Sequence, residues 1–121
     1  MDIYGIEHVQ LAIPKGREDE AIDFYEGVLG LKNVPKPENL TKRGGCWFES
    51  GVVKIHLGVA KDFVPATKAH PALLVDDLDE LKRILQEHEF EVIVDKPLEG
   101  FERCYTHDPF GNRIEFMERK E

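Results

Sequence analysis

The sequence lacks any long apolar run and is short of basic residues, and each deficit excludes a class of protein. No stretch approaches the roughly 20 consecutive apolar residues that a membrane-spanning helix needs. Lysine and arginine number 16 against 24 aspartate and glutamate residues, so the formal net charge is −8. This charge disfavours phosphate backbones and anionic bilayers as partners. We therefore expect neither nucleic acid nor a membrane to bind.

Cysteine is also scarce. The two cysteines, Cys46 and Cys104, are far apart and match no zinc or redox spacing. The first residues, Met1 to Gly5, have neither a basic start nor an apolar run, so we expect no secretory signal. From these two observations we expect a cytoplasmic protein in which both thiols are reduced. At 121 residues the chain fits one domain, residues 1–121.

The first half of the chain has the pattern of a strand, a helix and three further strands. Residues 8–13 alternate between apolar and polar, as a strand does, whereas Glu18–Leu29 has helical periodicity and is followed by Gly30. The remaining strands are predicted at 31–34, 46–49 and 52–59, with a loop over 35–45. Residues 1–60 therefore predict one βαβββ module.

The second half repeats this order. A strand is predicted over 69–75, and Asp77 followed by Glu80 is typical of a helix start. The last three strands are predicted at 91–94, 103–107 and 112–118, with a tight turn at 108–111. Residues 61–121 thus predict a second module. The sequence predicts an α+β fold, in which two paired βαβββ modules form curved sheets around a central cavity.

Four residues that can bind metal occupy repeat-related, inward-facing positions. His8 and His70 begin the first strand of each module, whereas His56 and Glu115 lie in the last strands. Three imidazoles and a carboxylate suit a first-row divalent ion, and four ligands leave two positions of an octahedral ion open. The pattern predicts a metal site for zinc, nickel, cobalt, manganese or iron, with Glu115 also as the catalytic base.

Each of these residues, taken alone, is more often a surface or satisfied core residue, and it is the joint pattern that indicates a site. His88 and His107 fall outside the pattern, so we interpret them as structural or solvated. Five further residues are predicted to line the cavity and bind substrate, although the basic ones can also cap strand ends in solvent and the aromatic ones can be core. They are Gln10, Trp47, Lys54, Tyr105 and Arg113.

On these residues the chain resembles the vicinal oxygen chelate superfamily, which contains glyoxalases, bleomycin resistance proteins and extradiol dioxygenases. The markers are residues 6–13, 21–31, 70–78 and 108–116. The resemblance implies paired βαβββ modules with a metal at their junction, and its ligand positions are His8, His56, His70 and Glu115. It also implies a homodimer, because many members dimerise and some complete the site with modules from two chains.

The sequence departs from individual branches of this family. His56 stands where glyoxalase I enzymes usually have Glu or Gln, and Ala12 stands where they tend to have an arginine for glutathione. Glutathione-hemithioacetal isomerisation is therefore disfavoured. The set His8, His70 and Glu115 is similar to the triad of extradiol dioxygenases, but His56 would crowd that site.

The sequence is compatible with three hypotheses about function. The first is a metal-dependent isomerase, lyase or thiol-addition enzyme acting on a small oxygenated substrate. The second is a protein that binds a drug or metabolite without chemistry, as bleomycin resistance proteins do, and the third is a ring-cleaving dioxygenase. A fold with an unused site is also compatible with the pattern. A tightly held divalent ion would favour an enzyme over a binding protein.

Overall fold

Seven strands form two sheets, one in each of two units of the chain. A few short helices connect the strands. The computed structural model describes all residues from 1 to 121, and the units are Met1–Val64 and Pro65–Glu121. The α+β class that the sequence predicts is confirmed. No helix has the length and apolar character needed to cross a membrane.

The sheet of the first unit has four strands in the order β1-β4-β3-β2. Strand β1 runs parallel to β4, and the other two pairings are antiparallel. In β1, Leu11 and Ile13 are buried whereas Gln10 is exposed, so the alternation read from the sequence is confirmed. The strands are β1 Val9–Ile13, β2 Lys32–Val34, β3 Cys46–Ser50 and β4 Val53–Val59.

The helix of the first unit differs from the single α-helix expected over Glu18–Leu29. An α-helix, α1, spans Glu18–Ile22 and continues as a π-helix over Asp23–Val28. Phe24 and the neighbouring Tyr25 are both 1% exposed. Their rings meet edge to face at 5.0 Å. Hydrophobic periodicity detects that this face is buried but cannot distinguish α from π winding, because it reports which residues are buried and not which backbone hydrogen bonds form.

The segment expected as a loop over 35–45 contains a 3-10 helix, Glu38–Arg43. It is followed by Gly45, which has a φ of 82° and donates its N–H to Oε2 of Glu18 at 2.9 Å. A Cβ atom at position 45 would lie 2.1 Å from the carbonyl oxygen of Leu57. Only glycine therefore allows this segment to lie so close to β4.

The second unit has three strands, in the order β5-β7-β6, instead of the four expected. The strand predicted at 91–94 is wrong, since the segment contributes only an isolated bridge between Ile93 and Tyr105. Strand β5 pairs in parallel with β7, and β6 pairs with β7 in an antiparallel hairpin. The elements are β5 Ala72–Leu74, α2 Leu78–Glu87, β6 Phe101–His107 and β7 Arg113–Arg119.

Two aspartates fix the ends of these elements. Asp77 caps α2 by accepting the backbone N–H of Glu80 at 3.0 Å, as the sequence predicts. Asp108 is buried in the turn of the β6–β7 hairpin, where its Oδ1 accepts the N–H groups of Phe110 and Asn112, each at 2.9 Å. The hairpin that presents the site residues of the second unit is therefore closed by side-chain hydrogen bonds.

Candidate functional site

The first pair of predicted ligands lies in the second unit, where Glu115 belongs to β7 and His70 precedes β5 by two residues instead of lying in the strand, as expected from the sequence. Nε2 of His70 lies 2.9 Å from Oε1 of Glu115, and Nδ1 of His70 lies 2.9 Å from the carbonyl oxygen of Lys68. A carbonyl only accepts, so Nδ1 carries a proton. A neutral ring would then point a lone pair at the carboxylate. A metal ion bound to both atoms would have to lie to one side of the line that joins them, because metal–ligand bonds of about 2.1 Å are longer than half of the 2.9 Å separation.

Glu115 is 6% exposed and is held at both oxygens. Its Oε2 accepts a hydrogen bond from Nη1 of Arg103 at 3.1 Å. Burial by itself pushes the pKa of Glu115 up, but the hydrogen bonds from His70 and Arg103 together bring that pKa below its ordinary value. Glu115 is therefore an ionised carboxylate at neutral pH, which is the form that binds a metal ion or accepts a proton.

Arg103, which contacts the predicted ligand Glu115, is not among the residues predicted from the sequence. Besides Glu115, its guanidinium donates to the hydroxyl of Tyr105 and to the carbonyl of Lys96, each at 2.7 Å. A signal for it existed, because Arg103 precedes the predicted site residue Tyr105 by two positions in β6 and so shares its face. The prediction considered only side chains that can bind a metal ion themselves, and it therefore left out an arginine that orients the Glu115 carboxylate.

Tyr105 and Arg113, both predicted substrate contacts, lie beside this pair. The Tyr105 ring is 4% exposed and meets the His70 ring edge to face at 5.3 Å. The guanidinium of Arg113 stacks over the same ring, with Cζ 3.8 Å from its centroid. Arg113 therefore contacts the site of the second unit and does not merely cap a strand end in solvent.

The second pair of predicted ligands, His8 and His56, lies in the first unit. Their rings stack with centroids 4.0 Å apart and planes 17° apart, and Trp47 stacks on His56 at 3.9 Å. Burial, and then the neighbouring His8, lower the pKa of His56, which favours the neutral imidazole that metals bind. The lone pairs lie in the ring planes, so two near-parallel rings do not converge on one ion until one of them rotates.

The remaining predicted contacts of the first unit are engaged locally. Lys54 places Nζ 2.6 Å from Oε2 of Glu7 and 3.7 Å from Oε1 of Glu49, so two carboxylates already compensate its charge. Oε1 of Glu7 lies 3.2 Å from Nδ1 of His8. Because Glu7 engages Nδ1, Nε2 is the ring nitrogen of His8 that could bind a metal ion. Gln10 is exposed and its amide extends over Gly58, where a Cβ would lie 2.7 Å from Nε2.

The structure thus brings the four predicted ligands together as two pairs, one in each unit. No group of three or more His, Cys, Asp or Glu side chains is arranged to hold a metal ion. The separation of 2.9 Å between His70 Nε2 and Glu115 Oε1 fits adjacent ligands of an octahedral ion, because bonds of about 2.1 Å at right angles place two donor atoms about 3.0 Å apart. In neither pair do the lone pairs point at a common ion position, so metal binding would require the His70 ring to turn away from Oε1 of Glu115, and the His8 or His56 ring to rotate.

Solved structures with this fold have diverse properties. A protein described as a glyoxalase family member from Bacillus anthracis is 52% identical, with a TM-score of 0.95 over 99% of this chain and 98% of that one. The fosfomycin resistance protein FosX from Listeria monocytogenes is 14% identical, with a TM-score of 0.74 over 99% and 94%. TnmS3, an antibiotic binding protein from Streptomyces sp. CB03234, is 21% identical, with a TM-score of 0.75 over 99% of each chain. The last two share the fold alone.

A search of curated proteins found no match. The family model described as the glyoxalase/bleomycin resistance protein/dioxygenase superfamily matches residues 5–116, which is nearly the whole chain. That match agrees with the strand order, the parallel pairing of first and last strands in each unit, and the 52% identity to the Bacillus protein. The chain belongs to the glyoxalase/bleomycin resistance protein/dioxygenase superfamily.

Proposed function

We propose that the protein is a metal-dependent enzyme of this superfamily that carries out isomerase, lyase or thiol-addition chemistry on a small oxygenated molecule. The proposed ligands are His8, His56, His70 and Glu115. The observation that carries the proposal is the His70–Glu115 pair, in which the Lys68 carbonyl fixes Nδ1 and leaves Nε2 facing a carboxylate oxygen at 2.9 Å. That arrangement is how proteins orient a metal-binding histidine.

The chemistry assigned to each residue follows from its surroundings. When bound, a divalent ion supplies a Lewis acid that stabilises negative charge on neighbouring substrate oxygens. Glu115 is the proposed base, and its lowered pKa keeps it ionised and able to accept a proton at neutral pH. Arg103 holds the second carboxylate oxygen and so positions Glu115.

Substrate contact is proposed for the five residues predicted from the sequence. Arg113 and Tyr105 are the strongest of these, since they adjoin the His70–Glu115 pair. Lys54 is weaker, because Glu7 and Glu49 already compensate its charge. The full set is Gln10, Trp47, Lys54, Tyr105 and Arg113.

A binding protein without chemistry is the second candidate, and one observation favours it. Both oxygens of Glu115 already have protein partners, so the second unit is electrostatically satisfied without an ion. The antibiotic binding protein from Streptomyces shows that this fold accommodates such a role. In this reading the aromatic and histidine side chains line a binding surface.

The protein is proposed to be cytoplasmic and to form a homodimer. The dimer is supported by the segment Met1–Glu7, whose apolar side chains are exposed. Ile3 is 89% exposed, Tyr4 99% and Ile6 82%. Exposed apolar side chains in a contiguous segment are typical of interaction surfaces, and this segment leads directly into the proposed ligand His8.

Metal content tests the proposal. Tag-free protein would be incubated with nickel, cobalt, manganese, iron or zinc, passed over a desalting column and analysed for elements. We expect about one divalent ion per chain, lost in the His8→Ala/Glu115→Ala double variant and kept in His88→Ala, whose side chain is exposed and bonds only the carbonyl of Ile84. No retained ion with any of the five metals would exclude the enzyme and favour the binding protein.

A further inference from the structure

We propose that Arg103 and Arg113 form an anion site in the second unit, which binds the carboxylate, phosphate or phosphonate group of a small-molecule ligand. This inference deepens the proposed function, on which it rests, by naming an oxyanion as the part of the ligand that the protein recognises. Arg103 has no assigned substrate role above, and its pairing with Arg113 is seen only in the folded unit.

The two guanidinium groups lie around one buried ring. Cζ of Arg113 is 3.8 Å from the Tyr105 centroid and Cζ of Arg103 is 5.6 Å from it. The Arg103 side chain is only 16% exposed and that of Arg113 only 23%. Tyr105, at 4% exposed, fixes both by stacking and by its hydroxyl, which accepts from Arg103. Two largely buried guanidinium groups held in place in this way can act together as an oxyanion receptor.

A carboxylate of the protein already marks the position of the anion. Oδ2 of Asp95 lies 4.0 Å from Nη2 of Arg103 and 3.8 Å from Nη2 of Arg113. Both distances are beyond hydrogen-bonding range, so one oxygen lies between two guanidinium groups without bonding either. The other oxygen of this carboxylate, Oδ1, accepts the backbone N–H of Lys96 at 2.7 Å, which restrains Asp95.

The hydrogen-bonding groups of Arg103 are not all paired. Nε of Arg103 is buried and has no hydrogen-bond partner. Nearly all buried donors in folded proteins are paired, so an unpaired guanidinium N–H calls for an explanation, and a bound oxyanion would supply one. A free oxyanion that displaces the Asp95 carboxylate would preserve the charge balance, and it could approach both guanidinium groups closely because no backbone restrains it.

The position of this site relates it to the proposed chemistry. Nη1 of Arg103 contacts both the Tyr105 hydroxyl and Oε2 of Glu115. An anionic group held by Arg103 and Arg113 would therefore lie beside the proposed base. The ligand class that follows is a small molecule carrying a carboxylate, phosphate or phosphonate close to the carbon at which a proton moves.

Anion binding to the metal-free protein tests the inference. Methylphosphonate and acetate would be titrated separately into ¹⁵N-labelled protein at constant ionic strength with a chelator present, and backbone amide shifts would be followed. We expect saturable shifts of the Tyr105 and Arg113 amides. The Arg113→Gln variant should bind about tenfold more weakly, the loss expected for one charge-assisted interaction. The anion that binds more tightly identifies the group recognised.

Two further variants separate binding from a structural effect. Asp95→Asn removes the competing carboxylate and should bind the anion more tightly than the wild type, a gain that a loss of structure does not produce. Arg83→Gln is the matched control, since Arg83 is 62% exposed on α2 and pairs only with Glu80 and Glu87. It should bind as the wild type does.

The outcomes are distinct from those of the metal test. Absence of saturable binding of either anion, equal affinity in Arg113→Gln, or weaker binding in Asp95→Asn would overturn the anion site even if the protein retains metal. Anion binding with the expected order of variants, in a protein that retains no metal, would support the anion site while the metal-dependent function fails.

Discussion

Nε2 of His70 and Oε1 of Glu115 lie 2.9 Å apart although 45 residues separate them in the chain. The parallel pairing of β5 with β7, which places Ala72 opposite Glu115, creates this contact. The unit thereby buries an ionised carboxylate and satisfies both of its oxygens with side chains. The stability of this unit and the function proposed for it therefore involve the same few atoms.

The buried carboxylate predicts a measurable effect on stability. Glu115→Gln removes the negative charge opposite Arg103 and His70, so we expect the free energy of unfolding to fall by about 2 kcal/mol. Urea denaturation of metal-free protein at pH 7 measures it. Glu102→Gln is the control, because Glu102 pairs with Lys120 at 3.5 Å with both side chains about half exposed, and its loss should stay within about 0.5 kcal/mol. Equal losses in the two variants would show that the buried pair adds nothing.

The single tryptophan provides an optical reporter for the first unit. Trp47 stacks on His56 at 3.9 Å, so an ion bound by His56 would lie next to the indole. Cobalt and nickel, which have open d shells, should quench the fluorescence, whereas zinc with its filled shell should quench less. His56→Gln should abolish the quenching, and His88→Gln should leave it unchanged. Quenching that persists in His56→Gln would place the ion elsewhere.

The turn at Asp108 predicts a loss of stability that is separate from the site. Asp108→Ala leaves the N–H groups of Phe110 and Asn112 without their acceptor in a buried turn, and we expect a loss of about 2–3 kcal/mol. Thermal and urea unfolding measure it. Asp76→Ala, at an exposed position, should change stability by less than about 0.5 kcal/mol. If the anion titration is also unchanged at temperatures where Asp108→Ala is folded, the turn is purely structural.

Thiol chemistry follows from the pKa of Cys46. Burial, with a smaller contribution from the charge of Glu18, raises this pKa to about 11. The thiolate is the reactive form, so at pH 8 only about one thiol in a thousand is ionised. Reaction of native protein with a disulfide reagent should therefore be slow and should accelerate up to about pH 11. Both cysteines should react rapidly in guanidinium chloride, which is the control; fast native reaction at pH 8 would contradict the buried environment.

Elements with strong local patterns could be predicted, and those that depend on distant neighbours could not. The β6–β7 hairpin follows from its alternation and from the turn sequence around Asp108, and the start of α2 follows from Asp77. The strand expected at 91–94 has suitable residues, yet only Ile93 bridges to β6. An apolar segment becomes a strand only if it can pair along the free edge of another strand, and the local sequence does not reveal whether such an edge is within reach.

In the candidate site, too, local patterns predict some features, whereas others depend on residues that are distant in the sequence. Strand parity predicts that His56 and Glu115 point away from the face of their apolar neighbours, and in the structure both are buried polar residues. Parity does not say that Arg103 would occupy the second oxygen of Glu115, or that Asp95 would lie near two arginines. These contacts join residues from different strands and from an irregular segment, so their geometry depends on register and loop path.

The sequence by itself determined the α+β class, the alternating faces of the strands and the chemical types available for a site, because periodicity and residue type are local properties. Tertiary structure decided which of these groups meet. In the folded chain, His8 stacks on His56 and His70 contacts Glu115. Arg103 and Arg113 both lie next to Tyr105. The physical reason is that hydrogen bonds and charge pairs act over a few ångströms, and only the folded chain brings residues so distant in sequence within that range.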